Sequence, residues 1–228
     1  MNWDGIVSLL IFCIEAILLV NVLYFSRKDK SLWKGVLLIA LLASYQLIEY
    51  LICGLDQKYS FAAFLAFSVI SFLPPLGLLF VLDLLKKRSG FDILLILPPV
   101  FFIILYLFNV EKFAVVKCSV IYAVYNYPYG EIFGLFYYLP IVASIFLLFY
   151  RLKSRTPLLK KNSQLLLSGY LFVSIPVISA FVLHFAGYSF LLSTIESIMC
   201  KSAVVLAVCY SIVILNLTGK NNIEGSNT

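Results

Sequence analysis

The chain has 228 residues, 63% hydrophobic and 12% charged, with a mean hydropathy of +1.04 and a formal net charge of +6. A soluble domain of this length needs far more polar cover, so the composition excludes a water-soluble globular fold and makes the bilayer the solvent. The positive balance is met by anionic inner-leaflet lipid and requires no nucleic-acid partner.

Crossing roughly 30 Å of hydrocarbon takes about 20 apolar residues in a helix, and only helices or closed barrels satisfy their own backbone hydrogen bonds there. The apolar runs here are continuous, not alternating, which predicts helices. Spans are expected at 5–25, 34–54, 60–82, 91–108, 132–150, 164–188 and 190–216. They make an all-α polytopic membrane protein, a single bundle of seven transmembrane helices over 1–217, with a disordered cytoplasmic tail over 218–228.

Asp4 precedes the first span, which lacks the basic start of a secretory signal and is followed by Arg27, Lys28, Lys30 and Lys34, so it is expected to stay as an anchor. Span 2 carries Gln46, Glu49, Tyr50 and Cys53 at i, i+3, i+4 and i+7, one helical face that is not expected to meet lipid. Pro74-Pro75 and Pro98-Pro99 are expected to break or kink spans 3 and 4. The short connections Asp56–Ser60 and Gly187–Ser189 force antiparallel neighbours. Between Asn109 and Glu131, Tyr122, Tyr125, Tyr127 and Tyr129 stand around Val and Ile, which suits a strand or, more simply, an aromatic belt at the headgroups.

Thirteen of the 17 lysines and arginines fall in alternate loops and the tail, three (Lys58, Lys112, Lys117) in the opposite loops, and Lys201 lies inside span 7. Basic loops stay in the cytoplasm, so the N-terminus is expected outside, the C-terminus cytoplasmic, and the chain multi-pass in a cell inner, cytoplasmic-type membrane.

The polar residues within the spans carry the functional expectation. At about 1.5 Å per residue, Lys201 lies roughly 16 Å below the outer edge of span 7, and Glu15 lies at nearly the same depth in span 1. A lone mid-bilayer charge costs at least about 2.5–3.5 kcal/mol, so these two are expected to pair. Glu49, His184 and Glu196 form a shallower layer, and Ser193 and Ser197 share stripes with Glu196 and Lys201. The expected ligand-binding set is Glu15, Gln46, Glu49, His184, Glu196 and Lys201, lining an outward-facing polar pocket.

A single histidine excludes zinc centres that need two or three imidazoles, and no serine-histidine-aspartate set, HExxH or phosphate loop is present. No catalytic residue, metal or cofactor is expected. A lysine in the last helix resembles the retinal-binding lysine of rhodopsins. Here the nearest acid stands five residues earlier, not four, and span 3 offers only Ser68 and Ser71, which argues against a Schiff base. Cys13, Cys200 and Cys209 sit in apolar helix as small hydrophobes, whereas Cys53 and Cys118 share the outer side and are candidates for a disulfide.

Ser44-Tyr-Gln-Leu-Ile-Glu-Tyr50, Phe72-Leu-Pro-Pro75 and Ser197-Ile-Met-Cys-Lys-Ser-Ala203 resemble the motifs of a family of uncharacterised prokaryotic seven-helix membrane proteins, a domain-of-unknown-function family. The chain lacks that family's tryptophan before the helix-7 cysteine and its cysteine-bearing amino terminus. The resemblance implies roles for Gln46, Glu49 and Cys200 and supplies no activity. The leading functional expectation is sensor-like or transporter-like handling of a small polar or amphiphilic ligand. The alternative is a structural or partner-binding subunit whose buried charges set helix packing, with a membrane or cytoplasmic protein as partner.

Overall fold

The computed structural model describes residues 4–26, 32–57, 59–87, 92–121, 123–153, 156–185 and 195–225, without the side chains of 92, 180–185, 195–196 and 220–225. Its elements are α1 (Ile6–Ser26), α2 (Trp33–Cys53), α3 (Ser60–Ser71), α4 (Leu73–Leu84), α5 (Asp92–Leu107), β1 (Ala114–Cys118), β2 (Ala123–Asn126), α6 (Gly130–Arg151), α7 (Pro157–Phe185) and α8 (Ile195–Gly225).

Six helical stretches among the described residues are long and apolar enough to cross a membrane: 6–26, 33–53, 60–84, 130–151, 157–179 and 197–219. The stretch 93–107 in α5 is apolar but shorter. Large apolar side chains such as Leu10, Ile17, Phe101 and Phe146 stand exposed around the outside, as they do where lipid replaces water. The architecture is that of an all-α membrane protein.

Local chemistry explains where the helices depart from the expected spans. Span 3 is two helices, because Pro74 and Pro75 fall in the first turn of α4, where a missing N–H costs little. Pro98 and Pro99 remain inside α5. Helix α7 begins at Pro157, which is pre-organised for a first turn, and so runs earlier than the expected 164. Helix α8 continues to Gly225 and takes in most of the residues expected as a tail, since propagation adds one hydrogen bond per residue once a helix is nucleated. The expected connection Gly187–Ser189 lies outside the described residues.

Helix α1 packs on α2 and α8, so the first and last helices are neighbours, and α2 also contacts α3, α4 and α8. At one end of the bundle Lys34 and Asp83 tie α2 to α4 at 2.8 Å. Farther in, the Tyr170 and Tyr210 hydroxyls meet at 2.6 Å between α7 and α8. Gly77 lets α4 approach that pair: a Cβ there would collide with the Tyr170 hydroxyl.

The opposite end is closed by the β1–β2 hairpin, antiparallel with Ala114 opposite Asn126 and Cys118 opposite Ala123. It is packed into the protein. Tyr127 lies 4.5 Å from Phe67 between ring centroids, within a cluster that includes Tyr106, Phe113 and Phe133. The Tyr106 hydroxyl donates to the Pro128 carbonyl at 2.9 Å. Edge-to-face aromatic packing thus seats the hairpin, and Tyr127 is half-buried against the core, whereas Tyr129 is exposed. Tyr122 lies outside the described residues. The candidate disulfide is formed: Cys53 at the end of α2 is bonded to Cys118 of β1, with Cα atoms 5.5 Å apart.

Candidate functional site

Beneath the hairpin, Lys201 of α8 reaches α1 and α2. Its ammonium donates to Glu49 Oε1 at 2.6 Å, Ser8 Oγ at 2.8 Å and Gln46 Oε1 at 3.1 Å, so each of its three protons has an acceptor. Glu49 Oε1 also accepts from Ser197 Oγ at 3.1 Å and Ser8 Oγ at 3.3 Å. Gln46 Nε2 donates to the Cys200 carbonyl at 2.9 Å. The Ala123 N–H of β2 donates to Ser197 Oγ at 3.1 Å, joining the hairpin to the network. The Tyr45 hydroxyl, one turn before Glu49, lies within electrostatic reach of Glu49, Tyr125 and Cys200. The bonds converge on Glu49 Oε1, whereas Glu49 Oε2 is buried without a hydrogen-bond partner among the described residues.

Lys201 pairs with Glu49, not with the expected Glu15, and side-chain direction gives the reason. Helical side chains lean toward their own N-terminus. The N-terminus of α8 lies at the hairpin end, as the Ala123–Ser197 bond shows, so Lys201 leans toward the hairpin. The hairpin end of α2 is its C-terminus, marked by Cys53, so Glu49 leans away from the hairpin and the two meet. Equal depth counted along the backbone put Glu15 level with the Cα of Lys201, not with its ammonium.

Glu15 is fully buried one heptad below Ser8 on the same stripe of α1, and Lys201 acts on it electrostatically. Neither of its carboxyl oxygens has a hydrogen-bond partner among the described residues. A buried acceptor without a donor costs about 1–3 kcal/mol. Glu15→Leu is therefore expected to leave thermal stability unchanged or to raise it by up to that amount. A loss of more than about 2 kcal/mol would show that Glu15 is a paired group after all.

Gln46, Glu49 and Lys201 are thus brought together, with Glu15 below them. His184 lies in α7 and Glu196 in α8, but their side chains are outside the described set. Ser8 was missed as a network member. Its signal was the seven-residue spacing to Glu15, which puts both on one helical stripe. Ser197 is placed as its four-residue spacing from Lys201 implies. Exposure is uneven across the network: Ser8, Gln46 and Ser197 show 0%, Glu49 1% and Lys201 8%.

Of two apolar spaces nearby, the smaller reaches the network through Cys200. One, of about 50 Å³, is lined by Cys200 together with Leu42, Pro74, Tyr137, Met199 and Tyr210. The other is a groove of about 1180 Å³ between α6 and α7, with Tyr127 and Glu131 among its lining residues. Both touch Ile141, Val173 and Met199. Among the described residues no group of three or more histidines, cysteines and carboxylates is placed to hold a metal ion.

The fold and the network define an all-helical, membrane-type bundle with a buried ionic centre. Comparison with protein-family models, with curated proteins and with solved structures finds no match to this chain.

Proposed function

We propose that this chain is a seven-span protein of the cytoplasmic, inner cell membrane that handles a small polar or amphiphilic ligand as a sensor-like or transporter-like module. In this reading the N-terminus is outside, the C-terminus is cytoplasmic, and α5 is the seventh span. The motif resemblance to the prokaryotic seven-helix family is part of the same proposal.

The observation that carries ligand handling is Glu15. A structural bundle gains nothing from a sealed carboxyl with no donor, because an apolar residue would pack there without cost. Intramembrane ionisable groups that persist at a cost mark ligand or ion paths. Lys201, at 8% exposure, is the least buried member of the neighbouring network. An amphiphile has a lipid-side route as well, since the α6–α7 groove leads to Met199, next to Cys200. Its polar lining residues Tyr127 and Glu131 suit a headgroup near the hairpin.

The alternative, a structural or partner-binding subunit, draws on the near-complete burial of Ser8, Gln46, Glu49 and Ser197. Thiol accessibility separates the two. With Cys13, Cys200 and Cys209 replaced by Ala, a cysteine is placed by Ser197→Cys, or by Lys201→Cys combined with Glu49→Gln. Reaction with a membrane-impermeant cationic methanethiosulfonate added from outside supports the ligand reading. Protection of both positions in folded protein supports the structural one.

The orientation is supported by the thirteen-to-three asymmetry of basic residues and by the disulfide at the hairpin end, because disulfides persist in oxidising compartments. Reporter fusions after Lys30, Arg88 and Lys161 are expected to read cytoplasmic, and fusions near Lys58 and Lys117 external. A swapped reading at two or more loops contradicts the orientation.

A further inference from the structure

We infer that the ligand of this site carries one positive charge: a monovalent cation seats at the Glu15 carboxyl, below the Lys201–Glu49 pair. The inference rests on the ligand reading above and gives it a substrate class.

Charge balance is the reason. Among the described side chains, helices α1, α2 and α8 enclose two carboxyls, Glu15 at 0% and Glu49 at 1% exposure, and a single ammonium, Lys201. Lys201 spends its three protons on Glu49, Ser8 and Gln46 and has none left for Glu15. No other charged side chain described on these elements is placed to serve. Lys34 is committed to Asp83 in a pair that includes α4, and Asp4 and Lys117 belong to the hairpin end. An ionised carboxylate is not held alone in low dielectric, so the enclosed set lacks one positive charge. Glu15 offers two unoccupied acceptor oxygens to a carrier of that charge.

The absence of a three-ligand acidic or imidazole cluster among the described residues argues against a divalent ion, which takes several charged or oxygen ligands. An alkali ion or a small ammonium ion meets the need. Each neutralises one carboxylate, and an ammonium ion adds donors for its oxygens.

The test uses the full chain in nanodiscs of zwitterionic phosphatidylcholine, which does not concentrate cations at its surface. Ionic strength is held with N-methylglucamine chloride. Sodium, potassium, ammonium and methylammonium chloride are each titrated at fixed pH, and pH is varied at fixed salt. One salt arm is expected to raise the wild-type Tm saturably, by about 5–10 °C at a hundredfold excess over the dissociation constant. Glu15→Leu and Glu15→Gln are expected to be flat in that arm. Response to one salt identifies that cation, whereas response to pH alone shows only the carboxyl's own titration and overturns the inference. Identical behaviour of wild type and both variants in every arm overturns the inference. Should neither variant fold, infrared difference spectra of wild type labelled with 13C-glutamate decide: a carboxyl band that moves in one salt arm at fixed pH supports the site, and bands unmoved in every salt arm overturn it. A thiol-accessible site with a flat cation response ends this inference alone, whereas a sealed site ends the ligand reading with it.

Discussion

Lys201→Met is expected to destabilise the protein by about 3–5 kcal/mol, the cost of leaving one member of a buried ion pair without its partner. The substitution takes from Glu49 its 2.6 Å contact and leaves it only the Ser8 and Ser197 hydroxyls. Glu49→Leu is expected to cost a similar amount, because Lys201 then keeps only Ser8 and Gln46. Combining the two changes should recover much of the loss, since both charges leave together and the serines can turn back to their own helix carbonyls. A double-mutant cycle on purified protein in lipid reads this directly, and strictly additive losses contradict the pairing. The contrast with Glu15→Leu is diagnostic: one buried carboxyl is needed for stability and the other is not.

Breaking the Cys53–Cys118 bond is expected to cost about 2–4 kcal/mol. The bond closes a loop of 65 residues, and the loss of loop-closure entropy in the unfolded chain sets the upper end. The consequence is local as well. The disulfide anchors β1 to α2, while β2 donates to Ser197 and so to the Lys201–Glu49 centre. Cys53→Ser and Cys118→Ser should therefore lower Tm equally, by about 4–15 °C, and the double substitution no further. Wild type should shift mobility on reduction and neither single variant should. Free alkylation of both thiols in native membrane would contradict the bond.

Legibility in the sequence followed the range of the interactions involved. Helix placement was readable, because about 20 apolar residues are a local requirement of the bilayer. The buried face of α2 was readable too, since Gln46, Glu49 and Cys53 follow helical spacing and all prove buried. What the spacing could not supply was direction. Lys201 and Glu15 share a depth along their backbones, but opposite chain senses in α8 and α2 aim Lys201 and Glu49 at one another. The tyrosines of the long connection were ambiguous for a related reason. Headgroup belts and aromatic cores use the same residues, and only the positions of Phe67, Phe113 and Phe133, far apart in sequence, seat Tyr127 against the core. Ser8 is short and polar near a helix start, a place that on its own signals capping more than ion-pair support.

The central claim is that the buried ammonium of Lys201 is held by Glu49 while Glu15 stays outside that pair. Solid-state NMR distance measurement in lipid, with 15Nζ-lysine and 13Cδ-glutamate labels assigned through Glu15→Gln and Glu49→Gln, addresses it most directly. A strong dipolar coupling between Lys201 Nζ and Glu49 Cδ is expected, corresponding to a separation under about 4 Å, together with a clearly weaker coupling to Glu15 Cδ. The stronger coupling falling on Glu15 would contradict the account.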